Sequence, residues 1–436
     1  MPGAGGDFAR SDNPAVQEQL DRLAALSVPQ GRLGTDTIRT LLGRLGNPQD
    51  RLPPVFHVAG TNGKGSTCAF LRAMMEAEGL RVHAAISPHL VRYNERIRLA
   101  GTLIDDAALA SVLAEVLDAG ADLAPSFFEA TVAATLLEFA RTPADACVVE
   151  VGLGGRFDAT NVFESPAACG IATLGIDHEQ FLLLPEAGTP EVPLARIAFE
   201  KAGIVRPGSS LVTLSYPPEA ELEVERAAMA AGAPLAMRGR HWTSSADDLF
   251  LEYQDRHGRL TLPVPSLPGA HQADNAALAA AMLRHQDFIT VSPEAMAAGI
   301  RKAKWPGRLQ AIRTGPLAVA ATGHELWLDG GHNRNAGEAV ARHFAEQHLH
   351  LVIGMLANKD PGALIDALDD RLVSITAVPV PGHDYHQSEN YGSRVRMADD
   401  VFVALQAIPP DGLPVLIGGS LYLAGDVLRL SGEIPY

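Results

Sequence analysis

One string in the chain joins flexible backbone to a fixed cation: Gly60, Thr61, Asn62, Gly63, Lys64, Gly65, Ser66 and Thr67 stand in succession. Glycines let peptide N–H groups converge on an anion, and a lysine beside them adds full positive charge. The string reads as a phosphate loop, and a nucleotide triphosphate fits it. Its spacing departs from the usual form. Val58 stands where a first glycine is expected, and Gly65 replaces the Ser or Thr that follows the lysine. The plain alternative is a tight glycine turn into a helix, against which the lysine and a preceding strand weigh.

Four more positions invite chemistry, and each has a bland reading beside the sharp one. Glu150 ends a predicted strand, where it can hold the Mg²⁺ that accompanies nucleotide phosphates or simply be exposed. His178 follows another predicted strand, but a lone histidine is more often a surface or satisfied core group. Lys201 lies in a helical segment ended by Gly203 and reads most simply as a solvated basic residue. Asp329, with Gly330 and Gly331, is either an acid at a ligand edge or a turn. Other machineries are excluded by single residues. Phe157 stands where a dinucleotide fingerprint over Gly152, Gly154 and Gly155 needs its last glycine. Leu182 replaces the second histidine of a zinc-hydrolase motif from His178, and Tyr422 breaks a nucleophile elbow around Ser420.

These residues need a scaffold with a common ligand edge. Short β-branched runs predict strands over 55–59, 81–86, 146–151 and 170–176. Helical periodicity predicts helices over 66–78, closed by Gly79, and over 105–119 and 127–140. The class is α/β, with a mostly parallel sheet. Residues 238–262 alternate polar and apolar around His257 and Gly258, as a small antiparallel appendage would. Ser292 and Pro293 open a helix to about residue 302, after which Trp305, Pro306 and Gly307 interrupt regular structure. We expect an ATP-binding domain over 1–304 and a smaller Rossmann-like α/β domain over 305–436, with strands at 325–328, 350–354, 374–380 and 414–417.

Composition limits the partners. The chain has 436 residues, 47% of them apolar, and a net charge of −16, which repels nucleic acid and anionic membrane. The cysteines Cys68, Cys147 and Cys169 form no CxxC pair, which fits a reducing compartment. The N-terminus up to Arg10 is Gly-rich and lacks an apolar core, and no stretch approaches the roughly 18 apolar residues of a membrane span. A cytoplasmic protein without nucleic-acid or membrane partners is expected.

The 60–67 string resembles the ATP loop of folylpolyglutamate synthases and dihydrofolate synthases, relatives of the Mur ligases. Further strings resemble that family in order: Ser87-Pro88-His89-Leu90 with Glu95-Arg96-Ile97, EVGLGGRFDATN from Glu150 to Asn161, Asp177-His178, and EKAGI from Glu200 to Ile204. LPGAHQADN ending at Asn275, PGRLQ around Arg308 and LDGGHN from Leu328 to Asn333 continue the series. The resemblance implies an ATP-dependent ligase that joins L-glutamate to dihydropteroate, to a folate, or to both through an acyl phosphate; a monomer is expected. It implies that Ser87, Glu150 and His178 bind Mg²⁺, and that Lys201 is carbamylated and supports a second ion. Asn275 and Arg308 would contact ATP, Asp329 would hold the ribose, and His332 would face the site from the second domain. Phe128 and Asp158 become candidates for the pterin pocket, and Ser420 for the incoming glutamate. The segment 179–200 is several residues longer than the family pattern. Rival readings are a Mur-type ligase for cell-wall precursors, a regulatory P-loop NTPase, and a binding protein with decayed motifs.

Overall fold

The computed structural model describes residues 10–26 and 34–435. The Gly-rich stretch before Arg10 therefore lies outside the described residues. An eight-stranded sheet runs in the order Thr102–Leu103, Ile97–Leu99, Val82–Ala85, Ala146–Glu150, Val55–Ala59, Ala168–Ile171, Ser210–Thr213, Leu235–Met237. The first two strands join antiparallel and the others pair in parallel. Val55–Ala59 is buried along its whole length, as a strand covered on both faces must be. It lies between Ala146–Glu150 and Ala168–Ile171, and the carboxyl ends of all three open on one edge.

Two sequence boundaries shift, and both shifts shape that edge. The helix expected from residue 66 begins at Lys64, because Gly63 at φ +84° turns the chain directly into it. The strand expected over 170–176 covers only Ala168–Ile171. Beyond it, Thr173 leaves the ladder to form an isolated bridge with Asn62, so 172–176 supports the glycine loop instead.

The appendage is present as strands Trp242–Ala246, Phe250–Asp255 and Gly258–Pro263, with Gly258 at φ +107° closing the hairpin. Asp255 anchors it to the helix His271–Arg284 through Arg284 at 2.7 Å. The helix Pro293–Lys302 follows, with the Ser292 hydroxyl accepting the Ala295 amide. After Trp305 the chain builds a six-stranded sheet in the order Gln310–Ile312, Leu326–Asp329, Val415–Gly418, Leu349–Ile353, Leu372–Ala377, Val395–Met397. Its four central strands are the expected ones with shifted ends, whereas Gln310–Ile312 and Val395–Met397 were not anticipated. Two N-terminal helices, Pro14–Ala24 and Asp36–Arg44, were likewise unforeseen; Val16, Leu20 and Leu23 bury one face of the first. Among the described residues no helix is long and apolar enough to cross a membrane.

Candidate active site

The glycine loop leaves the central strand of the first sheet and is held by backbone. The amides of Thr61 and Asn62 donate to the Thr173 carbonyl at 2.8 and 3.2 Å. The Thr61 hydroxyl donates to the Gly175 carbonyl at 2.8 Å. Gly60 takes φ +152°, and a methyl group there would come within 2.9 Å of Ala172 Cβ. A methyl at Gly63 would overlap the Asn275 side chain, and one at Gly65 the Trp305 indole. Asn275, itself steadied by donating to Gln272 at 3.0 Å, and Trp305 thus close on the loop from outside. Ser66 is buried in the first helical turn.

Two lysines meet at the start of this loop. Lys64 Nζ donates to the Gly60 carbonyl at 3.1 Å and Lys201 Nζ to the same oxygen at 3.0 Å. Lys201 is 4% exposed, which overturns its reading as a solvated residue. The helix Pro193–Ala202 packs that face inward, and burial together with Lys64 pushes the amine down to about 7. A buried lysine near neutrality carries a reactive, uncharged amine much of the time.

Glu150 ends the neighbouring strand, 6% exposed, and accepts the Ser87 amide at 3.3 Å. Burial raises its pKa, and Lys64 pulls the other way. Ser87 and Glu150 line a cavity of about 890 Å³ together with Arg308. His178 lies on the other side of Ser87, in a cleft of about 1000 Å³ between the two sheets. Burial keeps its imidazole well below the ordinary range, and a neutral ring is the ligating form. Among the described residues no three His, Cys, Asp or Glu side chains form a ready metal nest. The donor set nevertheless fits a hard divalent cation: a buried carboxylate, a hydroxyl and a neutral imidazole around one edge.

The cleft brings together most of the remaining expected residues. Phe128 and Asp158 converge on Gly152, where a methyl would overlap the phenyl ring and come within 3.2 Å of Asp158 Oδ2. Asp158 is 3% exposed and accepts the Leu153 amide at 2.7 Å and the Thr160 hydroxyl at 2.5 Å. Ser420 lines the same cleft while its hydroxyl caps the helix Leu421–Ser431 by accepting the Tyr422 amide. His332 reaches in from the second sheet, with Nε2 3.4 Å from Asp177 Oδ2. Asp329 stands apart: Oδ2 accepts the Leu309 amide at 2.9 Å and Oδ1 the Gly331 amide at 2.7 Å, so in this structure it organises the turn.

Sequence reasoning missed the fastening across the cleft. Lys359 Nζ donates to Asp177 Oδ1 at 2.6 Å, and Asn333 Nδ2 to Asp177 Oδ2 at 3.2 Å. Asn62 and Asn333 exchange side-chain hydrogen bonds at 3.1 Å each, tying the glycine loop to the second sheet. Burial pushes the Asp177 carboxyl up, but His332, His178 and Lys359 outweigh it and hold it well below the usual range. Lys359 was findable, since it follows the strand Leu349–Ile353 at the edge that carries the other site residues.

No family model matches the chain. The dihydrofolate synthase/folylpolyglutamate synthase of Bacillus subtilis is 31% identical over 432 residues, covering 91% of this chain and 94% of that protein. The structure of Escherichia coli FolC in complex with DHPP and ADP superposes with a TM-score of 0.84 at 30% identity, covering 96% of this chain and 98% of that one. A bifunctional folylpolyglutamate synthase/dihydrofolate synthase with Mn, AMPPNP and L-glutamate bound gives a TM-score of 0.82 at 29% identity, covering 97% of this chain and 99% of that one. With sequence and fold both matched over almost the whole length, the chain belongs to the folylpolyglutamate synthase/dihydrofolate synthase family, ATP-dependent ligases of the Mur ligase superfamily.

Proposed function

We propose that this chain joins L-glutamate to the carboxyl group of dihydropteroate, of a folate, or of both. The observation that carries the reading is the meeting of Lys64 and Lys201 at Gly60, near Glu150, whose cavity shares Ser87 with a cleft large enough for a pterin acid. A carboxylate resists amine attack. Its oxygen therefore first takes the γ-phosphoryl group of ATP, and ADP leaves. The glutamate amine then attacks the acyl carbon, the C–N bond forms, phosphate departs and the nitrogen loses a proton.

Each residue has a role in this scheme. Residues 60–66 cradle the phosphates, and Lys64 balances charge on the transferred group, where most phosphoryl-transfer catalysis resides. Ser87, Glu150 and His178 would hold Mg²⁺, and Lys201 would hold a second ion once carbamylated. Bound there, Mg²⁺ supplies electrostatic stabilisation of the phosphoryl oxygens. Asn275, Arg308 and Asp329 would contact the nucleotide, Phe128 and Asp158 the pterin, and Ser420 the glutamate. His332 would place the amine. Residues 1–304 and 305–436 would close on each other to exclude water from the acyl phosphate. The same reading has a monomer working in a reducing cytoplasm, a compartment that three free, buried cysteines suit.

The deciding assay offers dihydropteroate and tetrahydrofolate in parallel, each with glutamate and MgATP. ADP release that requires both acid and glutamate is expected. Hydrolysis indifferent to both, or turnover of a UDP-sugar peptide instead, would reject the proposal.

A further inference from the structure

The stretch between His178 and Lys201 is firmly tied down. Its middle folds back so that Glu186 lies between two arginines. Arg156 reaches Glu186 with Nη2 to Oε2 at 2.5 Å and Nη1 to Oε1 at 3.2 Å. Arg196 Nη2 reaches Glu186 Oε2 at 3.0 Å. Both arginines also hold Glu200, Arg156 at 2.8 and 3.1 Å and Arg196 at 3.0 Å. Thr189 joins in, donating to the Glu186 carbonyl at 2.6 Å and accepting from Arg196 Nη1. Two cations and two anions close a sheltered ring, with the Arg196 and Glu200 side chains 7% and 6% exposed.

The ring joins two pieces of the site without containing either working group. Glu200 precedes Lys201 on the helix Pro193–Ala202. The Arg156 amide donates to the Glu200 carbonyl at 2.7 Å, and a methyl at Gly155 would approach that oxygen to 2.7 Å. Arg156 belongs to the loop that ends in Asp158, and Gly203 packs against its side chain. The Lys201 helix and the Asp158 loop therefore meet at this point. Without Glu186, the buried Arg196 guanidinium and the part-buried Arg156 guanidinium would share one carboxylate, leaving the buried Arg196 charge poorly balanced.

We infer that Glu186 is a positioning residue for the ligase reaction, neutralising and aligning Arg156 and Arg196 so that the Lys201 helix keeps its register against the Asp158 loop. The inference rests on the proposed ligase reading. On that reading, the segment between His178 and Lys201 spans from the acid cleft to the phosphate corner and fixes their separation.

The test uses the full chain with MgATP, L-glutamate and whichever pteroate acid the unmodified protein turns over. Glu186→Ala is expected to lower kcat about tenfold, because small misplacements of reacting groups are expensive. Its KM for ATP should stay within about twofold, since the glycine loop is untouched. Glu186→Gln, which keeps the shape and loses the charge, should fall between. Glu191→Ala, at an exposed acid of the same segment, should match the unmodified protein. Amide hydrogen exchange should quicken over 153–158 and 179–202 in Glu186→Ala and nowhere else. An unchanged kcat would overturn the inference, and so would exchange that rises throughout the chain with kcat and ATP binding falling together. If the unmodified protein turns over no pteroate acid, the ligase reading fails, while the exchange pattern still judges the brace.

Discussion

The two sides of the cleft are fastened by different means. At the phosphate corner, position is set by backbone: the Thr61 and Asn62 amides on Thr173, the positive φ of Gly60 and Gly63, and the close approach of Asn275 and Trp305. On the facing side, position is set by exchangeable side-chain pairs, Asp177 with Lys359, His332 and Asn333, and Asn62 with Asn333. Backbone bonds within a packed framework yield only when that framework opens. Polar side chains lining a cleft that ligands enter trade partners at small net cost when ligand groups or water replace what is lost. The corner is thus rigid before nucleotide arrives, and the opposite face is built to re-pair around an acid and an amine.

The contrast breaks most visibly at the rigid side. Lys64→Ala should lower kcat on the order of 10²- to 10³-fold, the size seen when one preorganised charge-stabilising donor is removed. Glutamate-dependent ADP release measures it, and an undiminished rate would take the corner out of the chemistry. Gly63→Ala comes next. It forces a side chain into φ +84° and against Asn275, so about 1–2 kcal/mol of strain should appear as roughly tenfold weaker nucleotide binding in calorimetry. Equal affinity would mean that the loop adapts, and the difference between the two sides would vanish.

The same contrast explains what the sequence disclosed. Residues fixed by local backbone rules left local signals: the glycine string, the strand Val55–Ala59 and the Ser292 cap were legible, and their boundaries held or moved by a turn or less. Groups fixed by distant partners left little. Lys201 read as solvated because its burial comes from Gly60, 141 positions away in sequence. The strand end at Ile171 was overrun because Thr173 answers to the glycine loop and not to its own β propensity. Lys359 and Asp177, 182 positions apart, became partners only when two sheets faced each other. The short edge strands Gln310–Ile312 and Val395–Met397 were too brief for periodicity to register.

Asp177→Asn probes the exchangeable side with a smaller effect. Lys359 and His332 lose their common anchor, so kcat/KM for glutamate should fall roughly fivefold while the KM for ATP holds. The pH dependence carries a second signature. The Asp177 carboxyl is depressed in the folded chain and ordinary, about 3.9, in the unfolded one. Its contribution to stability is therefore complete above the unfolded value and is lost as pH falls toward the folded one. Urea unfolding between pH 3 and 7 should show a shallower acid loss for Asp177→Asn. Identical slopes would mean that the clasp is not a source of stability.

Lys201 gives the sharpest signature, because it belongs to the rigid side yet titrates near neutrality. Its folded value of about 7 lies below the unfolded value of about 10.4. Below pH 7 both states carry the proton. Between the two values only the unfolded chain does, so stability rises with pH in that window, by at most about 1.4 kcal/mol per unit. Lys201→Met should lack this slope in urea unfolding at pH 7, 8 and 9. The neutral amine present there can attack CO₂, forming an N–C bond and releasing a proton, and the resulting carbamate anion would face Lys64. Bicarbonate at pH 8 should then steepen the stability gain in the unmodified chain alone, with a new carbonyl signal from ¹³C-labelled bicarbonate. A slope without that signal would leave Lys201 as an uncharged donor to Gly60, and the second metal position would lose its ligand.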